Sequence, residues 1–261
     1  MIGKSERRMV RLAHVVLIVF SLMAVLPFIL LISSSLTEEN AALKYGFSFV
    51  PRVFSLAAYK YISYQSKMII RAYGITIFTT VVGTSVGLTM TSMLGYGLSK
   101  EIPGRRILNF FVVFTMLFNG GLVPTYLVYT RIFNIKDSFL AMVVPGLLMN
   151  GFNVIMMRTY ITTNIGTDII DAASIDGAGD FRCLTSIVVP LSKPIIGTLG
   201  LMTFTAYWNN WTNGIYYIQK RHDLWGIQNY MKSILDSASA LQQQIASSLG
   251  QEAVDVPSIS L

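Results

Sequence analysis

Four carboxylates, Asp168, Asp171, Asp176 and Asp180, fall close together between two long uncharged stretches. Clustered carboxylates can do acid–base work or hold a metal ion, but both need partners that this chain does not supply. Its two histidines, His14 and His222, lie in different regions, and Cys183 is its one cysteine. No metal-ligand spacing and no internal disulfide can be composed from them. No Ser/His/carboxylate set and no GxxxxGK[ST] phosphate loop occurs either, so no residue is assigned a catalytic or metal-binding role. The acidic segment does interleave its charges with small and apolar side chains. Thr167 can cap a helix with Asp168 in its first turn and Ile169, Ile170, Ala172, Ala173 and Ile175 along it. Asp176-Gly177 then makes a turn, and a second helix runs from Asp180 through Phe181, Leu184, Ile187 and Val188 to a stop at Pro190. Asp-Gly also marks hairpins, but the flanking residues lack strand alternation. A helix-turn-helix with an exposed alanine face suits docking against another protein better than catalysis.

The elements that hold this segment are legible from where charge is missing. Of 261 residues, 53% are hydrophobic and 13% charged, about half the charge of an ordinary soluble domain. Residues 12–37, 72–99, 107–130, 138–157 and 194–219 contain no Asp, Glu, Lys or Arg. Even 138–157, as a helix, reaches about 30 Å, the thickness of a bilayer's hydrocarbon core. The runs are continuous rather than alternating, which excludes a transmembrane barrel. Run 12–37 is too long for the apolar core of a signal peptide and reads as a retained anchor. The expected fold is all-α: a polytopic membrane protein with five transmembrane helices in one domain spanning residues 1–261. Burying three carboxylates at the membrane centre would cost about 8 kcal/mol, so the loop 159–193 stays out of the lipid.

The 20 basic and 13 acidic residues give a net charge of +7, but the basic residues flank membrane runs and form no stripe interleaved with aromatics, which argues against nucleic acid. The compact turn with Lys100, Arg105 and Arg106, together with Lys4, Arg7, Arg8 and Arg11, favours a cytoplasmic N-terminus. The loop from Glu38 to Arg71 would then face outward, its Tyr45, Phe47, Phe49, Phe54, Tyr59, Tyr61 and Tyr64 packing at the interface. In the third run, Asn119-Gly120-Gly121 and Pro124 leave two readings open: a broken helix lining a cavity, or a span that ends near Leu117. In the fifth, Thr205, Asn209, Thr212, Asn213 and Tyr216 share one face at helical spacing, beside Trp208, Trp211 and Tyr217. Such groups suit hydroxyl-rich sugars, and they suit polar helix packing equally well.

The acidic segment also carries a resemblance. Asp171-Ala172-Ala173-x-x-Asp176-Gly177-Ala178, then Phe181, Ile187 and Pro190-Leu191-Ser192-Lys193-Pro194, resembles the EAA loop of permease subunits of binding-protein-dependent ABC importers. Phe49-Val50-Pro51, Gly95-Tyr96-Gly97-Leu98-Ser99, Phe152-Asn153-Val154-Ile155-Met156-Met157-Arg158 and Trp208-Asn209-x-Trp211 agree with the carbohydrate-uptake branch, of the maltose-type second permease. The resemblance implies the type I importer permease fold in a prokaryotic cytoplasmic (inner) membrane. It also implies a second permease subunit as heterodimer partner, two ATPase subunits that bind ATP and Mg, and an extracytoplasmic solute-binding protein. This chain would hold no cofactor itself. Asp171, Ala172, Ala173, Asp176, Gly177 and Ala178 would be the ATPase-coupling residues, and Thr205, Trp208, Asn209 and Asn213 candidates for the substrate path. Asp171 stands where the family usually has Glu, which shortens its reach by one methylene. The family pattern has six spans, and no run after Gln219 is long enough to cross, so the sequence ends at Val256–Leu261 about where a sixth would begin. A secondary transporter is the main alternative, yet its ion relay would need ionisable groups inside the spans. A permease for a non-sugar solute also remains open, and a polytopic membrane enzyme is the weaker rival.

Overall fold

The structure is a computed structural model and describes residues 4–252; the terminal stretch Val256–Leu261 lies outside them. Among the described residues its regular structure is helical, apart from an isolated bridge between Thr37 and Phe54. The chain divides into two compact units, residues 1–69 and 70–261.

The first unit carries α1 (Lys4–Ser35), α2 (Glu39–Tyr45) and α3 (Ala57–Tyr64). From Met9 to Ser35, α1 is long and apolar enough to cross a membrane. Its large apolar side chains from Met9 to Ile32 are exposed around the whole circumference, which suits a lipid environment and no aqueous one. Beyond it, Ser33 donates its hydroxyl to the Ser48 carbonyl at 2.7 Å. The guanidinium of Arg52 and the ammonium of Lys44 lie 5.0 and 5.3 Å from the Tyr45 ring centroid. The seven aromatic residues of this segment are all exposed.

The second unit is organised along α4 (Ser66–Ser99), the other single helix that meets the criteria for a span. Its buried positions include Ala72, Thr76, Thr80, Gly83, Gly87, Thr91 and Gly95, a stripe of small residues three or four apart that lets other backbones approach closely. At Gly83 a Cβ would overlap the Tyr207 ring, and at Gly95 it would sit 2.8 Å from Met157 Cγ. After α4 come α5 (Arg105–Leu117) and α6 (Leu122–Leu127), which runs into a π turn (Val128–Ile132); the bend between them is 117°. Next are α7 (Leu140–Val143), α8 (Gly151–Tyr160) with a π turn (Ile161–Ile165), and α9 (Thr167–Ile175). Then α10 (Asp180–Cys183), a π turn (Leu184–Val188) and α11 (Val189–Leu191) lead to α12 (Lys193–Trp208) and α13 (Thr212–Tyr217). A 3₁₀ turn (His222–Leu224) precedes α14 (Ile227–Glu252).

Three of the five uncharged runs are therefore interrupted. In 107–130 the helix both ends at Leu117 and resumes at Leu122, joined by a turn in which Asn119 Oδ1 accepts the Gly121 N–H at 2.9 Å. Run 138–157 is not one helix: α7 is a single turn, irregular backbone passes through Pro145 and Gly146 (φ +72°), and α8 continues beyond the run. Run 194–219 divides between α12 and α13. Counting charges could not locate these breaks, because uncharged side chains from elsewhere satisfy the freed carbonyls. Tyr207 donates its hydroxyl to the Val143 carbonyl at 2.8 Å, and Asn213 Nδ2 donates to that of Pro145 at 3.0 Å, so neither of these carbonyls is orphaned by the break.

Asp137 ties the loop before α7 to the one after α13. Its N–H donates to the Tyr217 carbonyl at 3.0 Å. Its Oδ1 accepts the backbone N–H groups of Gln219, Lys220 and Arg221 at 2.7, 2.8 and 3.3 Å. Burial pushes this carboxyl up, but the three donors outweigh that and hold it below the usual carboxylate range. Stabilisation from a depressed carboxyl is complete above its unfolded-state pKa and is lost as pH falls through the folded-state value. Replacing Asp137 by Asn, which tolerates the same positive φ of +54° but lacks the charge, is expected to lower the unfolding midpoint of the detergent-solubilised protein at neutral pH by about 2–4 °C, for about 1 kcal/mol lost. Thermal melts across pH should show the two proteins converging at acid pH.

Candidate functional site

The acidic segment is built by two caps and a core. Gly166 (φ +76°), not Thr167, caps α9, with no side-chain bond to the first turn. At the other end the Gly177 N–H donates to the Ser174 carbonyl and that of Ala178 to the Ala173 carbonyl, at 3.1 and 2.9 Å. Gly177 has φ +83°. These are the two bonds of a Schellman stop, which needs a left-handed residue at that position. The following helix does not end at Pro190. A π turn widens it just ahead of the proline, and the chain continues to Leu191 before bending by 83° into α12.

One side of this helix-turn-helix is fastened to the unit's core. Ile170, Cys183, Leu184 and Val188 are buried with Met157 and Ile161, and Ala173 and Ala178 pack against that cluster. The small size of these two alanines therefore serves the loop's own seating. The other side is bare: Asp171, Ala172, Asp176 and Gly177 are exposed, as are Ile175 at 86% and Phe181 at 74%. Two large apolar side chains thus stand exposed at the tip of an ordered turn. Asp171 stands on the rim of a cleft of about 650 Å³ that also carries Lys100, Glu101, Arg105 and Thr162.

Lys100, at the end of α4, anchors the loop from outside. Its ammonium donates to Asp180 Oδ1 and lies 4.8 Å from the Tyr96 ring centroid. Burial pushes the Lys100 ammonium down, but the bonds to Asp180 and Tyr96 outweigh it, and the net shift is upward. The sequence reading counted Lys100 only as a topological charge. Eighty positions separate it from Asp180, and no local pattern announces the pair.

Thr205, Asn209, Thr212, Asn213 and Tyr216, expected on one helical face, do not form one, because α12 ends at Trp208 and the chain turns before Thr212. Thr205 is exposed, its hydroxyl bonded to the Leu201 carbonyl at 2.8 Å. Trp208 is half-buried and stacks on Phe204 with centroids 5.9 Å apart. Exposed Asn209 donates Nδ2 to the Thr205 carbonyl at 3.0 Å. Asn213 is buried, its Nδ2 bonded to the Pro145 carbonyl at 3.0 Å. The cleft shared by Phe204, Thr205 and Trp208 holds about 150 Å³, below the usual size of a small-molecule site. Among the described residues no cluster of three His, Cys, Asp or Glu could hold a metal ion.

Residues 83–220, from the middle of α4 past α13, match the family described as binding-protein-dependent transport system inner membrane component. The chain belongs to that family. It is a membrane-embedded ABC transport permease, from a family of transport proteins rather than enzymes. Over 227 residues, 87% of this chain and 78% of the relative, it is 37% identical to the polygalacturonan/rhamnogalacturonan transport system permease protein YtcP of Bacillus subtilis. It is 33% identical to protein LplC of the same organism, covering 80% of this chain and 70% of that one. The fold is similar to a chain in the crystal structure of a bacterial ABC transporter involved in the import of the acidic polysaccharide alginate. The TM-score is 0.78, identity 30%, and coverage 93% of this chain and 88% of the other. The acidic helix-turn-helix lies wholly inside the matched region of the permease family.

Removing the Lys100 anchor should loosen this loop without unfolding the permease, since a pair with so exposed a carboxylate contributes at most about 1 kcal/mol. Lys100→Gln is expected to speed amide exchange across residues 168–183 severalfold, and the exchanged pair Lys100→Asp with Asp180→Lys to slow it again. Hydrogen exchange by mass spectrometry measures both. In the wild type the protection contributed by a raised lysine is fully present below its unfolded-state pKa and declines only as pH rises through the folded value. It should persist across the neutral range.

Proposed function

We propose that the chain is one of two permease subunits of an ATP-driven oligosaccharide importer, coupled to a cytoplasmic ATPase through residues 159–193. The observation that carries this reading is the exposed tip of the helix-turn-helix, where Ile175 and Phe181 extend beyond an ordered Schellman turn. A rigid body with an apolar tip, fastened to α4 and to the helix leading into α12, can pass a push from an ATPase cleft to the membrane helices. Asp171 and Asp176 flank that tip and would meet basic groups of the ATPase, while the nucleotide and its Mg stay with that partner. The basic residues of the 100–106 turn support placing this end in the cytoplasm, with the N-terminus on the same side. The solute class follows the relatives, whose names specify polygalacturonan/rhamnogalacturonan, diacetylchitobiose and arabinooligosaccharides. A second permease subunit would close the other wall of the pathway, and an extracytoplasmic binding protein would deliver the solute.

The test is reconstitution of the chain with its candidate partner permease, ATPases and binding protein in proteoliposomes, assayed for ATP-driven uptake of oligosaccharides. Gly177→Val is expected to abolish uptake while the complex still inserts and hydrolyses ATP. Nothing lies within 4 Å of a Cβ at Gly177, so the effect would come from backbone strain at positive φ, and Gly177→Ala should be milder. Normal uptake by the Val variant at equal abundance would remove the coupling role from this loop.

A further inference from the structure

Two helix breaks meet in one place that the coupling loop does not explain. The turn at 118–121 between α5 and α6 and the irregular backbone at 146–150 before α8 line the same pocket, of about 780 Å³. They are brought together because α5 packs on α8. Gly151 permits this close approach: a Cβ there would lie 2.8 Å from Met116 Cγ and 3.0 Å from the Val112 carbonyl oxygen. Residues 118–121, Gly146, Met149 and Asn150 are all exposed. Irregular backbone inside a bilayer is tolerated only against protein or water, so this wall does not face lipid.

The side chains of the pocket form a set with one chemistry. Asn119 and Asn150 each use Oδ1 to accept a backbone N–H, of Gly121 and of Phe152, both at 2.9 Å. Each amide is thereby oriented by the main chain, with its Nδ2 donors left unbonded within the described residues. Thr115 and Thr125 donate their hydroxyls to the carbonyls of Val112 and Gly121, at 2.8 and 2.7 Å, and keep their oxygen lone pairs as acceptors. The half-buried Tyr129, its ring edge-on to Tyr217, has a hydroxyl with no hydrogen bond among the described residues. Phe152 is 45% exposed and supplies an aromatic face. Among the described residues no charged side chain lines the pocket. Oriented neutral donors and acceptors beside an aromatic ring match the hydroxyls and apolar faces of a pyranose, and the volume falls in the range of small-molecule sites.

We infer that this pocket is a sugar subsite on the translocation path, taking one uncharged face of the cargo on Asn119, Asn150, Tyr129 and Phe152. The inference rests on the oligosaccharide-importer reading above and adds a location to it, away from the α12 residues.

The test uses the assembled complex in proteoliposomes, with arabinotriose and trigalacturonate as cargo probes. Thr115→Cys should react with a charged, membrane-impermeant methanethiosulfonate, and the transported sugar should slow that reaction at least fivefold. The native thiol, Cys183, is buried and gives little background. Tyr129→Phe combined with Asn150→Ser, which keeps a helix-capping hydroxyl, should raise the concentration of loaded binding protein needed for half-maximal uptake about tenfold. Sugar binding to the isolated binding protein should not change. Lack of labelling, or labelling indifferent to sugar with uptake by the double variant within twofold of wild type, overturns the subsite alone. A wild-type complex that imports neither sugar overturns the oligosaccharide reading and the subsite with it.

Discussion

Lipid offers a peptide carbonyl or amide no hydrogen-bond partner, and every interruption of a membrane helix must meet that constraint. This chain breaks its apolar helices at 118–121, at 144–150 and at 209–211, and each break is answered differently. The first is closed locally by Asn119 and opens to a polar pocket. The second is answered from α12 and α13, through the Tyr207 hydroxyl and the Asn213 amide. At the third, the Asn209 and Asn210 N–H groups donate to the Thr205 and Tyr207 carbonyls as α12 ends. Several polar residues of the spans are thus spent on backbone, while Thr80 and Thr84 of α4 bury hydroxyls without a partner among the described residues.

The same economy separates the two ends of the second unit. Near the start of α4, Thr76 accepts the Ile227 N–H at 2.9 Å, and Asp137 gathers three N–H groups of the 219–221 segment. Buried side chains and backbone donors make that end a fixed frame. At the Ser99 end the helix-turn-helix is also packed on a core, yet its outer surface carries Ile175 and Phe181 into solvent and its cross-link is a largely exposed ion pair. A surface apolar enough to need a partner, on a body firm enough to transmit force, is what coupling between two proteins requires. The small-residue stripe on α4 lets α8 and α12 lie close to the same helix.

Much of this was legible in the residues. Missing charge marked the apolar segments and the Asp-Gly pair marked the turn between α9 and α10, whereas of the alanines expected on an exposed face Ala172 is exposed and Ala173 and Ala178 pack against the core. The features that were not legible depend on residues remote in the chain. Pro145 and Gly146 break a helix only because Tyr207 and Asn213 accept the consequence. One face from Thr205 to Tyr216 was expected because helical periodicity was extended past Trp208, where α12 has already ended. Lys100 acquires its role from Asp180, and Asn150 from the turn that α5 makes opposite it. Thr167 was one residue inside the helix it was expected to cap, since Gly166 can adopt the positive φ there.

The central claim is that the exposed tip of this helix-turn-helix seats in the ATPase. The most direct measurement places a cysteine at Ile175 in the assembled complex, with Cys183 buried and silent, and applies a short bifunctional thiol reagent. A cross-link joining residue 175 to the ATPase, strengthened or weakened as nucleotide is added, is the result this structure predicts. A residue-175 thiol that stays freely reactive with water-soluble reagents in the full complex, in every nucleotide state and without a cross-link, would contradict it.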